Sequence, residues 1–150
     1  MTSQMQTTDR LERNKALVRR AYEEIINGHE AEKIREYVTE DAQEHSILGE
    51  ATGIEQLIRG SEALTRAFPD IHLEIHDIIA EGDKVVTRGT LSGTHRGDFA
   101  SIPATGRKFS VVEIDIVRIE DGRMAEHWDA IDTASLFSQL GIGPPGEPRP

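Results

Sequence analysis

The chain has 150 residues, 37% of them hydrophobic and 29% charged, a composition typical of one globular domain. Its 27 acidic and 17 basic residues give a formal net charge of -10, which argues against binding to nucleic acids or anionic membranes. The chain has no cysteine, which excludes disulfides, thiolate metal sites and a cysteine nucleophile. The N-terminus has no apolar core, and no apolar run reaches the roughly 18 residues of a membrane span. We therefore expect a cytoplasmic protein.

The first half of the chain has the periodicity of helices. The predicted elements here are helices over 9–27, 31–38 and 53–68 and a short strand over 43–48. Gly28 is expected to end the first helix in the left-handed conformation. A capping box at Thr52-Gly53-Ile54-Glu55 opens the third helix, and Pro69 ends it.

The period changes to that of strands after Pro69. Strands are predicted from Ile71 to the turn at 81–83, over 84–95, over 108–119 and over 123–131, followed by a short helix that ends at Gly141. Three helices, an antiparallel meander and a final helix indicate the α+β class. We expect one domain over 8–141, with flexible tails over 1–7 and 142–150.

The last hairpin places ionisable residues where strands are otherwise apolar. A three-residue loop at Glu120-Asp121-Gly122 pairs Asp115 with His127 and Glu113 with Asp129. All four side chains then share one face of the sheet. A two-residue loop shifts the pairing by one residue, and the cluster then splits between the two faces.

Carboxyl groups at cross-strand distance cannot all ionise cheaply. Mutual repulsion and burial raise the pKa of at least one of them towards neutrality, which yields an acid/base pair. His127 is expected to orient or share the proton. The alternative interpretation is a solvated face whose charges lie in water, and the spacing alone leaves both interpretations open.

Other residues give weaker signals. His45 is expected to project towards the same cavity or to be a satisfied polar residue. We expect His95 to anchor the loop over 97–106 through hydrogen bonds and Trp128 to pack at a sheet or subunit interface. The sequence contains no metal-binding histidine pair, phosphate-binding glycine loop, dinucleotide fingerprint or esterase motif. These observations indicate carboxylate chemistry with no metal and no cofactor, or ligand binding alone.

Several motifs together resemble one known family. They are Ala67-Phe68-Pro69-Asp70, Gly93-Thr94-His95-Arg96-Gly97, Ile102-Pro103-Ala104-Thr105-Gly106-Arg107, Asp115-Ile116, Asp121-Gly122-Arg123, Glu126-His127-Trp128-Asp129 and Gln139-Leu140-Gly141. Over roughly Leu11 to Gly141 the chain resembles the SnoaL-like polyketide cyclases, of the ester cyclase type, within the NTF2-like superfamily.

The resemblance implies a cone-shaped barrel, in which three N-terminal helices pack on a curved, mostly antiparallel sheet around an apolar pocket. It also implies dimers or tetramers formed through the sheet. In the cyclases of this family an aspartate on the last strand is the acid/base for intramolecular aldol closure of an aromatic polyketide ester, with no metal or cofactor. Asp129 matches that position. A histidine is common on the preceding strand, where this chain has Asp115.

The resulting hypothesis is a cyclase or isomerase acting on a polyketide-like carbonyl compound. Asp129 and Asp115 are the expected catalytic residues, and the supporting residues of the pocket are His127, Glu113, His45 and His95. One alternative is a protein of the same fold that binds a small hydrophobic ligand without reaction. Another is a polyketide hydroxylase, whose activity requires oxygen.

Overall fold

Four helices accompany one six-stranded sheet in residues 2–143, the part of the chain that the computed structural model describes. The elements are α1 (Ser3–Tyr22) with a π-helical extension (Glu23–Asn27), a 3-10 turn (Ala31–Lys33), α2 (Ile34–Tyr37), β1 (Val38–Ser46), β2 (Gly49–Thr52), α3 (Ile54–Ala67), β3 (His72–Glu81), β4 (Lys84–Thr94), β5 (Lys108–Glu120), β6 (Arg123–Ile131) and α4 (Thr133–Leu140). The predicted α+β class is confirmed. Most of the predicted C-terminal tail, residues 144–150, lies outside the described residues.

Helix α1 is longer than its apolar periodicity predicts. It begins at Ser3 rather than Asp9, because the Thr2 hydroxyl accepts a hydrogen bond from the Met5 amide at 3.3 Å and caps the helix. Residues 3–7, which we expected to form a flexible leader, are therefore helical. Periodicity missed this turn because its polar residues make no apolar stripe.

The end of this helical segment also differs from the prediction. Gly28 is right-handed, with φ of −81°, and His29 takes the left-handed conformation instead. A Cβ atom on Gly28 would lie 2.6 Å from the Glu24 carbonyl oxygen. Glycine is thus required here by a close backbone approach and not by a positive φ.

The region between α1 and α3 contains a hairpin, of which the sequence predicted only one strand, over 43–48. The predicted second helix is a 3-10 turn followed by the four residues of α2, and Val38 already belongs to β1. Strand β1 pairs with β2, whose sequence Gly-Glu-Ala-Thr lacks the alternation of a half-buried strand. The hairpin therefore forms through its contacts with the rest of the sheet.

Helix α3 is confirmed, but its cap uses a different residue. Gly53 is the N-cap, and the Gln56 side chain, rather than Glu55, accepts a hydrogen bond from the Thr52 amide at 3.1 Å. Glu55 forms an ion pair with Arg35 at 2.6 Å instead. The N-terminal turn of α3 is thus tied to the segment around α2.

The strands lie in the order β2-β1-β6-β5-β4-β3, and all neighbouring pairs are antiparallel except β1 and β6. Odd-numbered residues of β5 from Phe109 to Ile119 are buried, while the even-numbered ones are mostly exposed. One face of the sheet therefore forms the core with the helices. No helix in the part of the chain that the structure describes is long and apolar enough to cross a membrane.

The β5–β6 hairpin pairs its residues differently from the prediction, yet keeps the predicted face over residues 126–131. Its loop is the two-residue turn Asp121-Gly122, both with positive φ. The pairing then passes over Ala125, so that Asp115 lies opposite Asp129 and not opposite His127. The turn and the β-bulge each shift the pairing by one residue, and their sum leaves residues 126–131 on their predicted face. Between the turn and the bulge the faces are reversed, since Met124 and not Arg123 pairs with Ile119.

Candidate active site

A cavity of about 340 Å³ lies between the helices and the inner face of the sheet. The helices contribute aliphatic side chains to its lining, among them Ile25, Ile34 and Leu57. The sheet contributes ionisable side chains, among them Glu44, Glu113, His127 and Asp129. The cavity thus has an apolar side that fits a carbon skeleton and a polar side suited to proton transfer.

His127 is held between two carboxylates. Its Nδ1 atom lies 2.8 and 2.9 Å from the two carboxylate oxygens of Glu44, and its Nε2 atom lies 3.1 Å from Asp115 Oδ1. Because ionised carboxylates only accept hydrogen bonds, both ring nitrogens donate, and the ring is an imidazolium. Burial lowers the pKa of His127, but the hydrogen bonds to Asp115 and Glu44 outweigh it and raise that pKa well above its ordinary value.

Asp115 lies behind His127 and does not line the cavity. The residue is 2% exposed, and its carboxyl group accepts hydrogen bonds from His127 and, at 3.2 Å, from the Thr87 hydroxyl. Asp115 was expected to be catalytic; in the structure its carboxyl group contacts His127 and Thr87, and the described lining of the cavity does not include it. Thr87 was not anticipated, since it lies on β4 in an ordinary strand pattern.

Glu113 is the deepest carboxyl group of the cavity lining. Its side chain is only 7% exposed, and its Oε2 atom is buried without a hydrogen-bond partner among the described residues. Burial, followed by repulsion from Asp115 and Asp129, raises the pKa of Glu113 to about 9. This residue is therefore a neutral carboxylic acid at pH 7.

Asp129 lines the same cavity in a less buried position. Its Oδ1 atom accepts a hydrogen bond from the Ile47 amide, in the turn between β1 and β2, at 3.3 Å. Burial raises the pKa of Asp129 to about 6; His127 opposes this rise, and Glu44 and Asp115 add to it. The carboxyl group of Asp129 is therefore mostly ionised at pH 7, but its pKa is close enough to 7 for the protonated form to be accessible as well.

Glu44, rather than its neighbour His45, joins this cluster. In the parallel pairing of β1 and β6, Glu44 lies beside His127, while His45 lies beside Trp128. His45 stacks on Trp128 with ring centroids 5.4 Å apart, and it pairs with Glu126 at 3.0 Å and with Glu50. The expectation that His45 projects into the cavity is wrong, since the described lining contains Glu44 and not His45.

His95 also lies away from the cavity. It is fully buried against Phe68, with ring centroids 5.5 Å apart, and Thr105 bonds to its Nδ1 atom through both hydroxyl and amide. This is the loop-anchoring position that the sequence analysis described, and not the pocket position it also allowed. No group of three or more histidine, aspartate or glutamate side chains in residues 2–143 is arranged to hold a metal ion.

Comparison with known proteins identifies the family. The family model described as SnoaL-like polyketide cyclase matches residues 16–140. The chain belongs to this family. Its SnoaL-like sequence is 36% identical over 130 residues to aklanonic acid methyl ester cyclase DnrD of Streptomyces peucetius, covering 83% of this chain and 88% of DnrD.

Solved structures of this SnoaL-like fold agree with the assignment. AclR of Streptomyces galilaeus, a proposed hydroxylase, has a TM-score of 0.77 at 30% identity, over 89% of this chain and 99% of AclR. A SnoaL-like protein from Jannaschia sp. CCS1 reaches a TM-score of 0.81 at 24% identity, over 89% of this chain and 94% of its own. The resemblance to SnoaL-like proteins of the NTF2-like superfamily is thereby confirmed.

Proposed function

We propose that the protein is a polyketide cyclase that closes a ring by an intramolecular aldol reaction, with Asp129 as the general acid and base. The observation that supports this most strongly is a carboxyl group with a pKa of about 6 in the lining of a largely apolar cavity. A group with such a pKa can both remove and return a proton near neutral pH.

In the proposed reaction the protein supplies only proton transfer, and the substrate supplies both carbon atoms of the new bond. The Asp129 carboxylate removes a proton from a carbon that neighbouring carbonyl groups acidify. The electron pair of that C–H bond forms the new C–C bond to a ketone carbon of the same molecule. The ketone oxygen then takes the proton from Asp129, so the product is an isomer of the substrate and the enzyme is regenerated.

His127 has a positioning role in this proposal. Its positive charge lowers the pKa of Asp129, and its bonds to Glu44 and Asp115 fix the ring at the cavity wall. The imidazolium is thus held between the carboxyl groups of Glu44 and Asp115. The neutral state of Glu113 prevents further charge from accumulating beside Asp129.

Incubation with aklanonic acid methyl ester, the compound for which DnrD is named, tests the reaction class. We expect liquid chromatography with mass spectrometry to show a product that separates from the substrate but has the same mass. This product should form equally well under air and under argon. A product heavier by one oxygen atom that forms only under air would instead indicate the hydroxylase alternative. Binding of the ester with no product would favour the ligand-binding alternative.

We also propose that two copies of the chain associate through the outer face of the sheet. The side chains of Val112 and Ile114 on the central strand β5 are 50% and 43% exposed, and Ile116, next to Trp128, is partly exposed as well. A contiguous apolar strip of this kind is typical of a protein interface. The occupant we propose is the same strip of a second copy.

The substitution Ile114→Lys is expected to weaken the self-association at least about tenfold, because it places a charge at the centre of the apolar strip. Sedimentation analysis over a concentration series measures the effect. Gln4→Lys, on the exposed start of α1, adds the same charge away from the sheet and should change nothing. A wild-type protein that is monomeric throughout the series would contradict the proposed association.

A further inference from the structure

Gly60 is a glycine that the fold itself does not require. It lies in the interior of α3, where glycine is less favourable than any residue except proline. Its φ is not positive, and a Cβ atom added to it would meet no atom within 4 Å, its two neighbours in the chain and the backbone of α3 apart. Each of the other glycines from Gly28 to Gly141 has a positive φ or such a neighbour. The lack of a side chain at position 60 therefore has another cause.

Gly60 belongs to the face of α3 that lines the cavity. This face also carries Leu57 and Leu64, which lie three residues before and four residues after Gly60 and are half-buried in the lining. A position between two such leucines normally carries an apolar side chain. Because Gly60 has none, the space in front of it is part of the cavity.

The exposure of the lining residues locates the mouth of the cavity. The exposed residues of the lining belong to the β1–β2 hairpin and to α3, and they are Gln43, Leu48, Gly49, Glu50, Gln56 and Gly60. The rest of the lining is buried or half-buried. The mouth, which these exposed residues define, therefore lies between the hairpin and α3, and Gly60 is on its α3 side.

The mouth is close to Asp129. The Ile47 amide, which donates a hydrogen bond to Asp129 Oδ1 at 3.3 Å, belongs to the same turn as Leu48. Ile47 and Leu48 are 38% and 52% exposed, so the turn presents an apolar surface beside the mouth. A ligand that reaches Asp129 therefore passes between apolar residues of the turn and the open space at Gly60.

The size of the cavity indicates what occupies that space. Its volume of about 340 Å³ is near the lower end of the range for ligand sites, roughly 300–1,000 Å³. A substrate of several fused rings with its reacting carbon at Asp129 fills this volume and continues into the mouth. A side chain at position 60 would then take the place of a ring.

We propose that Gly60 determines the size of the substrate that the protein accepts, because its missing side chain leaves room in the mouth for the fused rings farthest from Asp129. This inference rests on the proposed function for the position of the reacting carbon. The ligand part that fits beside Gly60 is flat and apolar, since Leu57 and Leu64 flank the space on α3. Binding of large substrates thus explains a residue that is unfavourable in the helix.

Filling the space tests the proposal through binding alone. The affinities are measured by titration calorimetry in the Asp129→Asn background, so that turnover does not interfere. We expect Gly60→Leu to weaken the binding of aklanonic acid methyl ester at least about tenfold, because the leucine occupies the space of a ring. The binding of methyl 2-naphthoate, whose two fused rings end before the mouth, should not change.

Two further variants distinguish lost space from a disturbed helix. Ala63→Leu adds a leucine at an exposed position of α3 outside the lining, and it should leave the affinity for the ester unchanged. Gly60→Ala should raise the melting temperature by about 2–4 °C, because alanine favours the helix and the added methyl group has open space. A lower melting temperature would show that the fold needs this glycine and would overturn the proposal.

A thiol at position 60 gives a second measurement, which decides if Gly60→Leu does not fold. The chain has no cysteine, so Gly60→Cys introduces a single thiol. In the Asp129→Asn background, ester at about ten times its Kd should slow the reaction of this thiol with N-ethylmaleimide about tenfold. The thiol of Ala63→Cys, outside the lining, should react at the same rate with and without the ester.

Unchanged affinity for the ester in a folded Gly60→Leu variant would overturn the proposal, as would a thiol at position 60 that the bound ester does not protect. The proposed function is tested separately by turnover. A wild-type protein that binds the ester but converts none of it, while Gly60→Leu weakens the binding as expected, would contradict the proposed function alone. Turnover by the wild type together with unchanged affinity in Gly60→Leu would contradict only the role of Gly60.

Discussion

Replacing Asp129 by asparagine is expected to lower the rate of ring closure by about 10²–10⁴-fold, the usual contribution of a general acid or base. Asparagine has nearly the same shape and can still meet the Ile47 amide through its oxygen, but it cannot take the carbon-bound proton. We expect the affinity for the ester to change little. The measurement is kcat and KM for aklanonic acid methyl ester in wild type and variant.

The stability of this variant distinguishes lost chemistry from lost structure. The pKa of Asp129 is about 6 in the folded protein against an ordinary 3.8, so the folded state disfavours the charged form. The contribution of Asp129 to the stability of the wild type therefore falls as the pH rises from 3.8 towards 6. Asp129→Asn removes that loss and should be slightly more stable than wild type at pH 7.

Asp121→Asn provides the matched control. Asp121 lies in the turn of the same hairpin with φ of 49°, and asparagine accepts that conformation. This variant should keep wild-type activity. In the wild type, kcat/KM should rise with pH up to about 6, because the base must be ionised, and then level off. An Asp129→Asn variant that retains more than a tenth of the wild-type rate would contradict the assignment of Asp129 as the general acid and base.

Replacing His127 by glutamine is expected to destabilise the fold by about 3–5 kcal/mol, the usual cost of removing one partner from a buried ion pair. Without the imidazolium, the carboxylates of Glu44 and Asp115 share a buried site with no cation between them. The measurement is the free energy of unfolding from urea denaturation. His72→Gln, at an exposed position on β3, is the control and should cost little.

The pH dependence of that loss follows from the raised pKa of His127. Stability from this residue is fully present below its ordinary pKa of 6.5 and is lost as the pH rises through the higher folded-state pKa. The cost of His127→Gln should therefore be largest near pH 6 and shrink in strongly alkaline solution. Adding Asp115→Asn should recover part of the lost stability. A cost that is independent of pH, with no recovery, would show that His127 acts only through packing.

Part of the site could be predicted from the hairpin sequence, because alternation places Glu113 with Asp115, and His127 with Asp129, on one face of their own strand. Whether the two pairs share a face depends on the pairing. Glu113, Asp115, His127 and Asp129 do share one face. The pairing itself could not be predicted, since nothing in the sequence around Ala125 signals that this residue is left out. The bounds of β6 and the end of α4 at Gly141 were local signals, and they are confirmed.

Residues that reach the site from distant elements were missed. Glu44 faces His127 only because β1 pairs in parallel with β6, and that pairing joins residues 83 positions apart. Tyr22, which also lines the cavity, belongs to the apolar stripe of α1, and such a position predicts a core residue. The neutral state of Glu113 likewise depends on two other carboxyl groups that the sheet brings near.

The two one-residue shifts at Asp121-Gly122 and Ala125, which add up to two residues, restrict how this hairpin can change in length. An insertion or deletion of one residue in the turn would move Glu113 and Asp115 out of step with His127 and Asp129, and would send one strand's carboxyl groups to the outer face. Only a second change at the bulge restores the arrangement. Turn length is usually the most freely varied feature of a hairpin. In this protein it is tied to the position of Asp129, the proposed general acid and base, so the turn and the bulge can evolve, or be engineered, only together.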